Sequence, residues 1–160
     1  MSAYQIREAQ VQDLEGVYAV FSLADSLHRQ AHPEIFREAL DPNNIKDFLH
    51  ASIQAEDSGV FVAEESGEII GAIIAWVRQA RDIPVLVQRT YVSIDNLVVA
   101  EGSRQRGVGK SLMEQIHLWA QGCGVKDIEL TVWDFNQGAV AFYDKLGYVM
   151  LRHRMRKVLP

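Results

Sequence analysis

The spacing of apolar residues predicts helices in the first third of the chain. Residues 4–7 alternate as a short strand does, and from Asp13 onward apolar side chains recur every three or four positions. These positions are Leu14, Val17, Tyr18, Phe21 and Ala24. Because Asp13, Pro33 and Asn44 are residue types that favour helix starts, we expect three helices that begin at or near them. The region from about residue 11 to 56 is therefore predicted to be helical.

The middle of the chain alternates apolar and polar positions as strands do. Residues 59–64 and 68–78, joined by a turn at residues 65–67, predict a β-hairpin. Residues 85–99 predict a further strand region that is interrupted or bent within its length. Together these segments predict a β-sheet.

The last part of the chain returns to a mixture of helices and strands. Val108, Leu112, Ile116 and Trp119 form an apolar stripe, which predicts an amphipathic helix over residues 104–121. After it we expect a strand at 127–133, a helix at 137–146 and then the final strands. Since a strand at 93–99, a helix and the strand at 127–133 form a crossover, those two strands are predicted to be parallel neighbours.

The composition is typical of one soluble globular domain. The chain has 160 residues, of which 48% are hydrophobic and 23% charged. Its net charge of −5 disfavours nucleic acid as a partner and suits a cationic small molecule or peptide end. Residues 1–8 lack the apolar core of a signal peptide, and no apolar run approaches the roughly 20 residues that span a bilayer. We therefore expect a cytoplasmic protein with no membrane partner.

Three further features carry weaker signals. Cys123 is the only cysteine, which excludes an intrachain disulfide. His28 and His32 have the spacing of metal ligands on a helix, but no third ligand accompanies them, so we expect no metal. The basic run at 152–157 alternates with apolar residues, which favours a last strand with one solvated face over a nucleic-acid patch.

The most informative stretch is residues 104–111, with the sequence RQRGVGKS, between a strand-like run and an amphipathic helix. Gly107 and Gly109 let the main chain curl tightly, so that its N–H groups converge at a helix start whose dipole favours anions. Three cations add positive charge to this loop, namely Arg104, Arg106 and Lys110. We predict that the loop binds phosphate.

The spacing of the glycines does not match the motifs of two common phosphate-binding loops. A nucleotide P-loop that ends in the sequence GKS would need glycine at Arg104, and Gly102 lies two positions too early. A dinucleotide fingerprint would need glycine or alanine at Leu112. Neither a nucleotide-hydrolysing enzyme nor a Rossmann protein is therefore favoured.

The loop resembles the acetyl-coenzyme A loop of the GNAT superfamily of N-acetyltransferases. The signature of that loop is Gln or Arg, two residues, Gly, one residue, and Gly or Ala, and Arg104, Gly107 and Gly109 match it. The preceding run at 93–99, with the sequence SIDNLVV, resembles the family's central strand.

Asn136, followed by residues 139–148 with the sequence AVAFYDKLGY, resembles the second conserved segment of the GNAT family. The two motifs have the order and separation that the family shows, and the resemblance is strongest over about residues 91–155. It implies acetyl-coenzyme A as a cosubstrate and a primary amine as acceptor.

The resemblance also implies the fold and the cofactor contacts. We expect a single α/β (α+β) domain over residues 1–160, with a mixed, mostly antiparallel sheet, helices on both faces and a splayed parallel strand pair at the cofactor site. Its acetyl-coenzyme A core would span about residues 91–148. The main chain of the central strand would pair with pantetheine, a strand N–H would polarise the thioester carbonyl, and the loop amides would cradle pyrophosphate. The implied contact residues are Leu97, Val98, Val99, Arg104, Gln105, Arg106, Gly107, Val108, Gly109, Lys110, Ser111 and Asn136.

Tyr143 matches the tyrosine with which GNAT enzymes protonate the departing thiolate, which is a plausible role for a phenol. On its pattern alone, Tyr143 also fits a packed helical stripe. Asn136 is likewise a good helix N-cap. For the base that accepts the proton of the amine we expect Asp95 first and Glu129 second, acting directly or through water. Asp95 also fits a role in binding the substrate.

The acceptor itself is not identified by the sequence. The resemblance implies that it is recognised by the helical front region and the strand before the loop, here around Asp25, His28, His32, Glu34 and Phe36. A small amine is favoured over an aminoglycoside-like polyamine, an amino acid derivative or a protein N-terminus. The alternative function is a regulatory module that senses acyl-coenzyme A with little turnover. An exposed strand at about 149–158 offers an edge whose pairing would form a homodimer.

Overall fold

The structure is a computed structural model that describes residues 4–160. The contacts within the chain divide it into two compact units, one that ends at Leu130 and one that runs from Thr131 to Pro160. Each unit is considered by itself. The fold class is α/β, as the sequence predicts, with a five-stranded mixed sheet in the first unit.

The sheet of the first unit has its strands in sequence order. They are β1 (Gln5–Glu8), β2 (Ser58–Glu65), β3 (Glu68–Gln79), β4 (Thr90–Val99) and β5 (Ile128–Leu130). Neighbouring strands are antiparallel except β4 and β5, which are parallel, so the predicted crossover is confirmed. The predicted hairpin is also confirmed, and Ser66 and Gly67 both take positive φ in its turn, as a tight hairpin requires.

Helices cover both faces of this sheet. On one face lie α1 (Leu14–Ala31) and α2 (Pro42–Gln54), and on the other lies α3 (Val108–Gly122). On the first face a buried cluster contains Val17, Val20, Phe21, Leu49, Val60, Val62, Ala72, Ile74 and Val98. The buried side chains of α3 are Val108, Leu112, Met113, Ile116 and Ala120.

A close approach between β2 and α3 explains one glycine of the sheet. A Cβ atom on Gly59 would lie 2.7 Å from the indole of Trp119, which no real side chain tolerates. Glycine at this position therefore lets the helix pack directly on the strand.

The predicted helix at Pro33 is wrong. α1 ends at Ala31, and the N–H groups of Ile35 and Phe36 both bond to the His32 carbonyl in an isolated turn. The cause lies in the residue before the proline, because that position is biased away from helical backbone and His32 has φ −136° and ψ 67°.

The next helix begins earlier than Asn44. α2 starts at Pro42, and the Asp41 side chain accepts a hydrogen bond from the Asn43 N–H at 2.9 Å. Proline in the first turn and aspartate at the N-cap together define this start.

Two predicted strands are shorter than expected. Residues 85–89 belong to a loop with Val85 and Val87 exposed, and β4 begins only at Thr90. Pro84, which has no N–H for a strand ladder, lies in that loop. β5 covers three residues of the predicted 127–133.

The second unit contains α4 (Gln137–Lys145), close to the predicted bounds. The predicted final strands, including the exposed strand at 149–158, are wrong for the described residues, which form no strand after α4. A strand exists only where its main chain pairs with a neighbour, so an alternating pattern alone does not create one. Among the described residues, no helix is both long enough and apolar enough to span a bilayer.

An ionic network joins the start of the sheet to the start of α1. The predicted cap, Asp13, makes no capping bond to α1, and instead accepts the Gln10 N–H and two hydrogen bonds from Arg7, the nearer at 2.7 Å. Glu64 on β2 contacts the same guanidinium at 2.7 Å. The Arg7 guanidinium holds the pKa of Asp13 below its usual value of 3.8.

Replacing Asp13 by asparagine is expected to lower the free energy of unfolding by about 2 kcal/mol, because the buried carboxylate of Asp13 is lost from its pair with the partly exposed Arg7, which keeps Glu64. The folded-state pKa of Asp13 is lowered, so its contribution is present above pH 3.8 and is lost as the pH falls through the folded-state pKa. Urea unfolding at pH 7 and at about pH 3 would measure both effects.

A matched control is Glu15→Gln, which removes the exposed ion pair between Glu15 and Lys46. Its expected cost is below about 0.5 kcal/mol. Equal effects of the two substitutions would contradict the role given to Asp13.

Candidate active site

β4 changes its pairing where the sequence places Asp95. The register with β3 shifts between Ile74, which faces Asn96, and Ala75, which faces Ile94, so Asp95 is the extra residue of a β-bulge. The parallel register with β5 ends at the pair Ile94 and Leu130. A bulge bends its strand and redirects side chains, which places Asp95 at a bend immediately after the last parallel pair.

The main chain beyond the bulge is the predicted cofactor strand. Val98 is buried in the core, whereas Leu97 and Val99 are half-buried. The Val99 carbonyl accepts a hydrogen bond from Arg104 Nε at 3.1 Å. The Val99 carbonyl, which is expected to bind pantetheine, therefore already accepts a hydrogen bond from Arg104.

The predicted phosphate loop, residues 104–111, is divided by the start of α3: residues 104–107 precede the helix and residues 108–111 form its first turn, so the predicted helix start at 104 is wrong. Residues 104–107 form a turn, in which Gln105 has φ 61° and Gly107 has φ 85°. The first helical bond runs from the Ser111 N–H to the Gly107 carbonyl. The N–H groups at the start of α3, those of Val108, Gly109 and Lys110, consequently have no intrahelical acceptor and suit an anion.

The loop cations are less available than the sequence suggests. Arg106 forms an ion pair with Glu65 on β2, which lowers the pKa of Glu65 and raises that of Arg106. Lys110 lies 3.6 Å from Glu114 one turn along α3. The loop therefore offers its main-chain amides directly, and the charges of Arg106 and Lys110 only when these side chains leave their carboxylate partners.

Ser111 is tied to the first strand region. Its Oγ lies 3.1 Å from the Tyr4 hydroxyl, and a Cβ on Gly107 would lie 3.5 Å from that same hydroxyl. The hydroxyl of Ser111 thus contacts another residue of the protein, and this contact anchors the start of α3.

Asp95 and Glu129, the two candidate bases, have different surroundings. Asp95 is 34% exposed and accepts a hydrogen bond from Ser93 Oγ at 3.1 Å. Glu129 forms an ion pair with Arg89, which also contacts Asp127 at 2.5 Å. Asp95 has a looser cationic neighbour, because Arg78 Nη2 lies 3.9 Å from its Oδ2. The choice of Asp95 as the base stays a prediction.

The second unit holds the other predicted residues. Asn136 is the N-cap of α4, and its Oδ1 accepts the Ala139 N–H at 3.1 Å. Tyr143 lies on α4 with its ring edge-on to Phe142 and to Tyr148. Burial raises the pKa of Tyr143 to about 12. Its phenol therefore stays protonated at neutral pH and remains a hydrogen-bond donor.

Comparison with known proteins gives the family. The Acetyltransferase (GNAT) family profile matches residues 19–148. The chain belongs to the GNAT family. It is therefore an acyltransferase of the N-acetyltransferase type, and GNAT membership implies acetyl-coenzyme A as the donor.

Individual GNAT relatives agree with this assignment. The uncharacterized N-acetyltransferase YhfO of Bacillus subtilis is 27% identical over 143 residues, which cover 89% of this chain and 88% of YhfO. The L-amino acid N-acetyltransferase AaaT of Escherichia coli is 27% identical over 151 residues, which cover 92% of this chain and 84% of AaaT. The crystal structure of a mutant of BH1408 from Bacillus halodurans matches with a TM-score of 0.88 and 33% identity, covering 98% of this chain and 99% of BH1408.

In this GNAT chain the predicted acceptor residues cluster around the end of α1. His32 Nδ1 lies 3.2 Å from Glu34 Oε1, and the rings of His28 and Phe36 are 5.1 Å apart. Asp25 is exposed on α1. Within residues 4–160 no cluster of histidine, cysteine and acidic side chains is suited to a metal ion. The part these residues play with the acceptor stays a prediction.

A small cavity lies between α1 and the GNAT loop. It has a volume of about 180 Å³ and is lined by Leu23, Ser26, Leu27, Glu101 and Arg104. Helix α1 and Arg104, the first residue of the loop, therefore line the same cavity.

Arg78 on β3, beside Trp76, did not stand out in the sequence. Both follow the alternation of that strand, and their partners on β4 are Ser93 and Tyr91. The arginine guanidinium carbon lies 5.0 Å from the centre of the Trp76 ring. A pair of large polar-ended residues two positions apart near the end of an apolar strand was the available signal.

Proposed function

We propose that the protein transfers the acetyl group of acetyl-coenzyme A to the primary amine of a small acceptor by direct attack in a ternary complex. The observation that supports this most is the chain order of a bulged strand, a turn with positive φ at Gln105 and Gly107, and a helix start with unpaired N–H groups. Those amides would take the pyrophosphate, and the main chain of Leu97, Val98 and Val99 would take the pantetheine arm.

The chemistry has a simple balance of bonds and protons. The amine nitrogen attacks the thioester carbon, a C–N bond forms, and the C–S bond breaks as coenzyme A leaves as a thiolate. Asp95, directly or through water, takes the proton that the attacking nitrogen loses. Tyr143 donates a hydrogen bond and then a proton to the thiolate, and solvent restores the phenol. No covalent enzyme intermediate is required.

The first test is calorimetric titration with acetyl-coenzyme A, coenzyme A and ATP, followed by thiol release across a panel of amines. Binding of the thioester together with amine-dependent thiol release is expected. Binding without release for any amine would favour an acyl-coenzyme A sensor, and the absence of coenzyme A binding would overturn the proposal.

Replacing Glu65 by glutamine is expected to tighten acetyl-coenzyme A binding about two- to five-fold at low salt, because Arg106 then becomes free to approach the pyrophosphate. The gain should vanish at high ionic strength, where exposed charges are screened. Calorimetry at two salt concentrations would measure it.

Glu68→Gln is the matched control, since Glu68 is an exposed carboxylate across the same hairpin turn. An equal gain in both variants would indicate a general effect of net charge. Weaker binding in the Glu65 variant would show that the ion pair shapes the loop instead of competing with the cofactor.

A further inference from the structure

Four polar-ended side chains meet beside the bulge of β4, on the sheet face that α1 and α2 cover. The strand register places Trp76 opposite Ser93 and Arg78 two residues further along the same face. Asp95 joins them, because it accepts a hydrogen bond from Ser93 and lies 3.9 Å from Arg78. We call Trp76, Arg78, Ser93 and Asp95 the β3–β4 polar cluster.

Within the described part of the chain, the guanidinium of Arg78 has no hydrogen-bonded carboxylate partner. The tight arginine pairs of this chain are at hydrogen-bond distance, for example Arg7 to Asp13 at 2.7 Å. Arg78 Nη2 and Asp95 Oδ2 are 3.9 Å apart, which is beyond hydrogen-bond length. Throughout residues 4–160 the guanidinium of Arg78 makes no hydrogen bond, and 45% of its side chain is exposed.

The guanidinium is nevertheless held in place. It lies over the Trp76 ring at 5.0 Å, and Trp76 in turn contacts Phe48 of α2 with ring centres 6.3 Å apart. A planar guanidinium above an aromatic face keeps its donor fork in a defined orientation. Arg78 is therefore positioned, accessible and without a hydrogen-bonded anion.

Other acidic groups nearby do not compete for Arg78. Glu129 faces the same side of the sheet as Ser93, its register partner, but it pairs with Arg89. Asp127 contacts Arg89 as well. Asp95 can also accept further hydrogen bonds, since Ser93 donates to its Oδ1 and its Oδ2 lies on the side of Arg78.

We propose that the acceptor carries a carboxylate next to its amine, as an α-amino acid does, and that Arg78 binds this carboxylate while Asp95 receives the amine. Standard bond lengths and angles separate the nitrogen and carboxylate oxygens of an α-amino acid by about 2.6 to 3.6 Å. Arg78 and Asp95 lie 3.9 Å apart without a hydrogen bond between them, so a ligand that carries the opposite charges at a comparable, slightly shorter separation can pair with both. This inference rests on the proposed function, because it names the substrate class of that site.

The test uses binding and turnover as separate readouts. The full chain saturated with coenzyme A, which cannot react, is titrated by calorimetry with standard L-amino acids and with the α-amide of each. At least one amino acid is expected to bind about ten-fold or more tightly than its amide, since the amide cannot pair with Arg78. In Arg78→Gln this preference should fall to within about two-fold, with the affinity for coenzyme A unchanged.

Arg154→Gln, which removes an exposed arginine of the C-terminal segment, is the matched control and should keep the preference. In thiol-release assays Arg78→Gln should raise KM for the amino acid and leave KM for its amide unchanged.

Three outcomes would overturn the inference: no amino acid binds, amides bind as tightly as the amino acids, or Arg78→Gln keeps the preference. If carboxylate-free amines are acetylated equally by both proteins, the proposed function stands and this inference fails. If amino acids bind through Arg78 but no thiol is released, the ligand class stands and the proposed function fails.

Discussion

Replacing Tyr143 by phenylalanine is expected to lower kcat about 100-fold or more, which is the usual contribution of a positioned proton donor. Affinity for acetyl-coenzyme A should change less than about two-fold, because under the proposed mechanism the hydroxyl acts only on the charge that develops on sulfur. The ring itself remains, and with it the edge-on contacts to Phe142 and Tyr148. Steady-state thiol release and calorimetry with acetyl-coenzyme A would measure the two quantities.

The raised pKa of Tyr143 adds a prediction about pH. A phenol with a pKa of about 12 stays protonated well above pH 10, where an ordinary tyrosine ionises. The rate should therefore rise as the acceptor amine loses its proton and should not fall again below about pH 11. A decline near pH 10 that Tyr143→Phe abolishes would show that the phenol ionises earlier than its burial indicates.

Tyr148→Phe provides the control, since burial also raises the pKa of Tyr148 to about 12. Removal of that hydroxyl should change kcat less than about three-fold. If both substitutions lower kcat equally, the effect belongs to packing of this unit and Tyr143 loses its assigned role.

Replacing Gly107 by valine is expected to weaken acetyl-coenzyme A binding about 10- to 100-fold. Gly107 has φ 85°, a conformation that costs a side-chain-bearing residue about 1 to 2 kcal/mol and costs a β-branched one more. A Cβ would meet only the Tyr4 hydroxyl at an ordinary 3.5 Å, so the penalty arises from the backbone and not from a clash. Relaxation of φ would turn the loop amides away from a common anion.

Gly102→Val is the matched control, because a Cβ there has no neighbour within 4 Å and Gly102 is not among the positive-φ glycines. Calorimetry with acetyl-coenzyme A and a urea unfolding curve for each variant would separate binding from stability. Unchanged affinity in a folded Gly107→Val protein would remove the loop from the proposed cofactor site.

Local features of the fold were largely predictable. Ser66 and Gly67 form the hairpin turn, Asn136 caps α4 as its residue type suggests, and Val108, Leu112 and Ile116 of the predicted α3 stripe are buried. Each depends on side chains within a few residues of one another. The errors came where a pattern needs a distant partner, as in the final strands, and where a proline restricts its predecessor, as at His32.

The site divides in the same way. By itself the sequence determined the glycine-rich loop, its place between strand and helix, and the GNAT motif that runs through Arg104, Gly107 and Gly109, because these are short-range patterns of backbone geometry. The tertiary structure alone decided which charges remain available. It paired Arg106 with Glu65 and Arg89 with Glu129, which are 41 and 40 positions apart in the chain. It also placed Arg78 and Asp95 beside a bulge at 3.9 Å, with no hydrogen bond between them. Arg89 and Arg106 lie in loops whose carboxylate partners are on strands distant in sequence, and the placement of Arg78 beside Asp95 depends on strand register, which is fixed only when the whole sheet buries its faces.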